Sequence, residues 1–398
     1  MNQSSSLTRH DGVRATILLL AMASFFSGAA LRICDALIPR LARDFTLSTG
    51  TAGHVVLSFS VAYGLSQLAF GPLGDRYGKA RMVTIAVFGC AAGAAACALA
   101  PSFDALVNLR VLWGLAAAGV IPLSMAWIGD AVAYEQRQAE LARMLIGTLT
   151  GMMAGQLAGG IFADSSLGWR GAFSLLATGY SVVAILLASR MRNLATQEAP
   201  KAGGVAFVSQ LATVLREPWA RRVLAAVFAE GVLLLGPMAY LPAYLHTRFE
   251  LGLTAASALV ALYAVGGLFY AIFARRIVAR LGERRMVLAG GFLMGLSWLG
   301  LYLSPLSWLA APISLLLGFG TYLYHNTLQT NATQMVPSVR GTAVAMFAFS
   351  FFFGQALGVS WAGFAFDRFG AAPLLLIPAA GLVAAGGLFA RAMARRGN

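Results

Sequence analysis

The chain has 398 residues, of which 59% are hydrophobic and only 11% charged, whereas a soluble domain carries about 25% charged residues. So little charge cannot coat a water-soluble surface, and most of this surface must meet lipid. The formal net charge of +14 does not indicate a nucleic-acid partner, because the basic residues stand in short clusters between apolar runs and form no basic face. Cys34, Cys90 and Cys97 all lie inside apolar runs, and an odd number at such positions argues against a disulfide framework.

A helix crosses the hydrocarbon core with about 20 mostly apolar residues. That rule predicts spans near 15–39, 52–72, 82–100, 105–128, 143–163, 171–190, 222–246, 254–274, 286–304, 308–330, 342–363 and 371–390. The first run exceeds the roughly 7–15 apolar residues of a signal core, so a span is expected there and not a cleaved peptide. The joints at Pro101 and Pro305 are short enough to force antiparallel neighbours. With the N-terminus placed inside, 22 Lys and Arg fall on the cytoplasmic side. Only Arg40, Arg43, Arg170, Arg248 and Arg368 fall on the other, and Arg32 and Arg110 lie within spans. The positive-inside rule therefore predicts that both termini are cytoplasmic, in the inner membrane of the cell.

The longest polar connection divides the chain into a first six-span bundle over 1–190, a linker over 191–221 and a second bundle over 222–398. Within the linker, Phe207, Val208, Leu211, Val214 and Leu215 have helical spacing. They fit either an amphipathic helix on the membrane surface or a solvated linker with a little helix.

Ionisable groups inside a span are costly and usually face a cavity or a partner. Asp35 and Glu230 are the two acids that fall well inside predicted spans. Asp35 lies about 25 Å from the cytoplasmic edge at the helical rise, level with Arg110 of the fourth span. Arg32 shares its helix face, so two guanidiniums can neutralise one carboxylate, and an Asp35–Arg110 pair is expected. Glu230 lies about 10–12 Å from the cytoplasmic side, and His325 of span 10 reaches a similar depth. A carboxylate and an imidazole can each take up and release a proton. A static ion pair at Asp35 and a neutral interhelical imidazole at His325 are the plainer readings.

Residues 71–81 read Gly71-Pro-Leu-Gly74-Asp75-Arg76-Tyr-Gly78-Lys79-Ala-Arg81, a charged glycine-rich turn between two spans. Part of it recurs 204 residues later as Arg280-Leu-Gly-Glu-Arg-Arg285, with Ala279 in place of the acid. Span 5 carries Gly151, Gly155, Gln156, Gly159 and Gly160, and span 11 repeats Gly354-Gln355-Ala-Leu-Gly358. Glycine every fourth residue gives a smooth helix face for close packing.

The 71–81 turn resembles the loop between the second and third helices of major facilitator superfamily transporters. Asp35-Ala-Leu-Ile-Pro39, Arg110-Val-Leu-Trp113-Gly114 and the fifth-span glycines are similar to signatures of the 12-span drug:proton antiporters, except that Gln156 replaces the family's proline. The resemblance covers nearly the whole chain. It implies an all-α integral membrane fold of 12 transmembrane helices in two pseudo-symmetric six-helix bundles. It also implies that Gly71, Gly74, Asp75, Arg76, Gly78, Lys79 and Arg81 form a gating loop whose acid meets the neighbouring half. Arg110 takes a proton-coupling role on the same ground. Because spans 1, 4, 7 and 10 line the central cavity in that family, Asp35, Glu230, Arg110 and His325 become proton-coupling candidates. The cavity candidates are Arg32, Asp35, Arg110, Trp113, Glu230, Tyr240 and His325, the aromatics among them as walls of an apolar pocket, with packing or lipid-facing positions the plainer reading for most aromatics of the chain.

The expected function is export of a small, mostly apolar or amphiphilic molecule in exchange for protons. Proton-coupled uptake of a small organic anion or metabolite is the alternative, since Arg32 and Arg110 suit a carboxylate. A membrane enzyme or sensor on the same scaffold is disfavoured, because the four histidines are scattered and form no metal or hydrolytic constellation. No Gly-x-x-x-x-Gly-Lys-[Ser/Thr] loop points to ATP. The expected partners are lipid, protons and a small-molecule cargo, with a monomer as the working unit and no cofactor or metal.

Overall fold

A computed structural model describes residues 2–191 and 207–396. All regular structure among them is helical. Eleven helices are long and apolar enough to cross a membrane. They are α1 (Val13–Asp44), α2 (Thr49–Tyr77), α3 (Lys79–Ala98), α4 (Phe103–Ala131), α5 (Gln136–Asp164), α6 (Gly168–Arg190), α7 (Pro218–Phe249) and Leu253–Leu303, then Ser307–Gln334, Pro337–Phe369 and Ala371–Arg396. Leu253–Leu303 breaks at Gly282, where φ is 69° and ψ is 162°. That left-handed backbone favours glycine and divides the element into α8 (253–281) and α9 (283–303). The last three helices are α10, α11 and α12. The twelve helices correspond one to one with the twelve predicted spans.

Prolines set the irregularities inside the bundle. Pro122 has no N–H to offer the carbonyl four residues back. That carbonyl, on Ala118, instead accepts from Gln67 Nε2 at 3.2 Å, and α4 turns at Ala118 and Gly119. In α7 a π-helical turn over Gly231–Leu235 precedes Pro237.

Packing is densest where glycines remove side chains. A Cβ on Gly147, Gly151, Gly155 or Gly159 would overlap the carbonyl of Ala21, Phe25, Ala29 or Ile33 respectively. The spacing is four on both helices, so α5 lies on α1 in register. Gly354 and Gly358 of α11 press on the Phe228 and Val232 carbonyls of α7 in the same manner. The two halves meet along α2 with α11 and α5 with α8, and Gly160 faces Leu253 and Ser257 across that second seam.

The segment Phe207–Arg216 is a helix. Val214 is buried and Leu211 packs on the core, Gln210 Oε1 accepts from Thr342 Oγ1 at 2.5 Å, and Val208 and Leu215 are exposed. The remainder of the expected linker, 192–206 with Arg192 and Lys201, lies outside the described residues.

Candidate functional site

Asp35 and Arg32 stand one turn apart on α1, and Arg32 Nη1 donates to Asp35 Oδ2 at 3.1 Å. Asp35 is fully buried and Arg32 nearly so, and Asp35 Oδ1 has no partner. Arg110 of α4 turns the other way. Its Nε donates to the Val55 carbonyl at 3.1 Å, and its guanidinium stacks 4.0 Å from the Phe59 ring and 4.8 Å from Trp113. Arg110 Nη1 is left unpartnered. Of the two guanidiniums expected around Asp35, Arg32 therefore bonds it and Arg110 does not. The nearer arginine needs no interhelical reach, and the aromatic faces attract Arg110 instead.

In the other half, Glu230 of α7 meets His325 of α10, with Nδ1 and Oε2 3.0 Å apart. Glu230 is fully buried and its Oε1 has no partner. The imidazole is 19% exposed and lies 4.7 Å from the Phe351 ring. Glu230 stands immediately before the π turn, a device frequent at functional sites. The two pairs occupy separate halves.

Between the halves lies a narrow crevice with little free space. It is lined by Arg32 of α1, Met152, Met153 and Gln156 of α5, Met238 of α7, and Val260, Ala261, Tyr263 and Ala264 of α8. Gln156, expected only in the packing stripe, is among these lining residues. Of the seven cavity candidates only Arg32 lines the crevice; Asp35, Arg110, Glu230, His325, Trp113 and Tyr240 do not. Trp113 is buried against Phe59, Phe173 and Tyr180. Tyr240 donates its hydroxyl to the carbonyls of Val359 at 3.1 Å and Gly50 at 3.3 Å.

The turn expected over 71–81 is reduced to Gly78, because α2 runs on to Tyr77 and α3 starts at Lys79; Gly78 takes φ 88°, Gly74 packs under Leu123, and Lys79 Nζ bonds Asp130 Oδ2 at 2.6 Å. Gly71 faces open space. Asp75, Arg76 and Arg81 are exposed. Among the described residues Asp75 makes no hydrogen bond or ion pair, so the contact with the neighbouring half is not made in this conformer. The halves are tied instead at the end opposite the chain termini. Asp164, ending α5, accepts from Leu253 N at 3.1 Å, Thr254 N at 2.8 Å and Thr254 Oγ1 at 2.8 Å, all in the first turn of α8. Asp367, near the end of α11, accepts from Gly50 N of α2 at 2.9 and 3.0 Å. These acids escaped notice in the sequence because a carboxylate at a span end looks like an ordinary headgroup-level charge. Their common place, ending the fifth helix of each half, was the available signal.

Twelve membrane-length helices in two halves, each with a buried polar pair, suit a membrane transporter. The chain belongs to the Major Facilitator Superfamily, whose family model matches residues 20–359. It is 24% identical to the uncharacterized MFS-type transporter YceJ of Bacillus subtilis over 351 residues, 88% of this chain and 89% of that one. It is 30% identical to the multidrug export protein EmrB of Haemophilus influenzae over 195 residues, 48% of this chain and 38% of that protein. It is 26% identical to a gallate transporter of Pseudomonas putida over 315 residues, 70% of this chain and 69% of that one. Its fold matches that of a D-xylose-proton symporter, with a TM-score of 0.76 at 14% identity and covering 95% of this chain and 97% of that one. The nucleoside transporter NupG matches with a TM-score of 0.74 at 14% identity, covering 94% of this chain and 98% of that one.

Proposed function

We propose that this transporter exports a small, mostly apolar or amphiphilic organic molecule across the inner membrane in exchange for protons. The bundles 1–190 and 222–398 alternate access around the cleft, with both termini cytoplasmic and a single chain as the working unit. The observation that carries this reading is the Glu230–His325 pair, a fully buried acid bonded to a partly exposed imidazole beside a π turn. A proton entering through His325 has an acceptor waiting in Glu230, and burial makes each change of charge there costly enough to drive a conformational response. Similarity to a multidrug export protein supports the outward direction.

The test is reconstitution in proteoliposomes under an imposed pH gradient. The probe is a labelled amphiphile chosen by thermal-shift screening of a compound panel at two pH values. Gradient-driven flux is expected in the wild type and at least a tenfold loss in Glu230→Gln. Flux indifferent to both the gradient and the substitution would remove proton exchange. Proton-coupled uptake of a small organic anion is the second reading, favoured by Arg32 in the cleft wall. Whether cells accumulate or exclude the labelled compound separates the two.

A further inference from the structure

The turn between α8 and α9 carries Arg275, Arg276, Arg280, Arg284 and Arg285 against a single acid, Glu283. Its counterpart in the first half, 71–81, holds three basic residues and Asp75, and Lys79 there is bonded to Asp130. The second half offers its arginines no such acid. Glu283 Oε2 accepts from Asn331 Nδ2 of α10 at 3.0 Å. Among the described residues none of these five arginines makes a hydrogen bond or an ion pair, and all five are exposed. The turn lies at the same end as the chain termini, because an even number of helices precedes it.

These arginines continue two apolar stripes. On α8, Phe269 and Phe273 are exposed, and Arg276 and Arg280 follow at the spacing of one helix face. On α9, Leu288, Phe292 and Leu296 are exposed at the same spacing, with Arg284 and Arg285 one turn before Leu288. The opposite faces are filled. Tyr270 of α8 and Met286 of α9 bury against Leu323 of α10, with Ala274, Ile277 and Ala289 packed around them. The stripes therefore meet acyl chains, and the long arginine side chains beyond them reach the headgroup level.

We propose that the α8–α9 turn is a binding site for an anionic phospholipid. Arg276, Arg280, Arg284 and Arg285 hold the phosphate, and the acyl chains lie along the Phe273 and Leu288 stripes. A guanidinium fork matches phosphate oxygens in bidentate geometry, and a cluster of basic residues directly beside a span attracts anionic headgroups. A soluble acidic partner would match the charge alone, whereas a lipid matches the charge and the stripes together. The positive-inside rule accounts for which end is basic. It does not account for the difference between the two repeats, where one turn has its lysine neutralised and the other leaves five guanidiniums open. The site depends on neither cargo, transport direction nor proton coupling.

The experiment offers the purified full-length protein equal amounts of phosphatidylglycerol and phosphatidylcholine with identical acyl chains, and counts bound lipid by native mass spectrometry. The wild type is expected to retain phosphatidylglycerol over phosphatidylcholine by about fivefold or more. Arg280→Gln with Arg285→Gln should cut that preference by about threefold or more. Arg76→Gln with Arg81→Gln removes the same charge from the matching positions of the first repeat and should leave the preference unchanged. Glycerol 3-phosphate, added at the lipid concentration, should displace no lipid. A thermal unfolding scan checks that both variants are folded, and the wild-type comparison of the two lipids needs no variant at all. Equal retention of the two lipids by the wild type overturns the inference. So does an equal loss of preference in the two folded variants, which would reduce the effect to net charge. Displacement by glycerol 3-phosphate would assign the arginines to a soluble phosphate. Binding of a poly-glutamate peptide in place of any lipid preference would assign them to an acidic protein partner. Either result contradicts a lipid site.

Discussion

One helical turn separates Arg32 from Asp35, and that spacing decides which arginine holds the acid. The pair is almost wholly withdrawn from water. Removing one partner of a buried pair leaves an uncompensated charge and costs about 3–5 kcal/mol. Asp35→Asn and Arg32→Gln are therefore each expected to lower the melting temperature in detergent, and the double substitution to lose less than their sum. Strict additivity across that cycle would show that the two side chains do not depend on each other. Counting residues along a helix gives depth, which is why Glu230 and His325 were expected at one level, though their contact was not read from the sequence. Depth says nothing of azimuth or rotamer, so the same count placed Arg110 level with Asp35 without showing that its guanidinium turns toward Val55 and Phe59. Trp113 and Tyr240 were placed in a cavity for the same reason, and both face packing surfaces.

At the scale of helices, small residues and end charges decide how neighbours meet. A side chain at Gly151 would run into the Phe25 carbonyl, whereas one at Gly71 meets open space. Overpacking costs about 1–3 kcal/mol where the backbone can yield, and here the obstacle is itself backbone. Gly151→Leu should reduce the yield of folded, monodisperse protein severalfold, with Gly71→Ala unchanged. Equal yields would mean that α1 and α5 are not held at this distance. The stripe was legible because its period of four is a property of one helix. The ties at Asp164 and Asp367 were not, since each joins two helices distant in sequence. A carboxylate at an exposed helix N-terminus contributes about 0.3–1 kcal/mol. Losing both should thus shift the ratio of closed to open states at that end by roughly 3–30-fold. Spin labels on cysteines at Leu99 and Leu306, both exposed at the same end, report that separation. The native cysteines are buried and should not compete for label. Asp164→Asn with Asp367→Asn should lengthen the main distance, and an unchanged distribution would assign these contacts no role in closure.

On the scale of the molecule, the number of helices and the division into two sets of six followed from hydropathy and from one repeated loop. Lipid enforces the helices themselves, because a backbone in hydrocarbon must satisfy its hydrogen bonds within each helix. How the halves lean on one another depends on a few contacts at one end and carries no periodic signal. In this conformer those contacts close the end opposite the termini, while Asp75 at the other end makes none. Proton exchange requires that this balance respond to the charge on the Glu230–His325 pair. The most direct measurement is the Leu99–Leu306 spin-label distance in lipid nanodiscs, titrated from pH 5.5 to 8.5 without cargo. The wild type should redistribute between a short and a long distance across that range, and Glu230→Gln should hold one distribution throughout. A Glu230→Gln titration that overlays the wild type would contradict a proton-driven change of access at this pair.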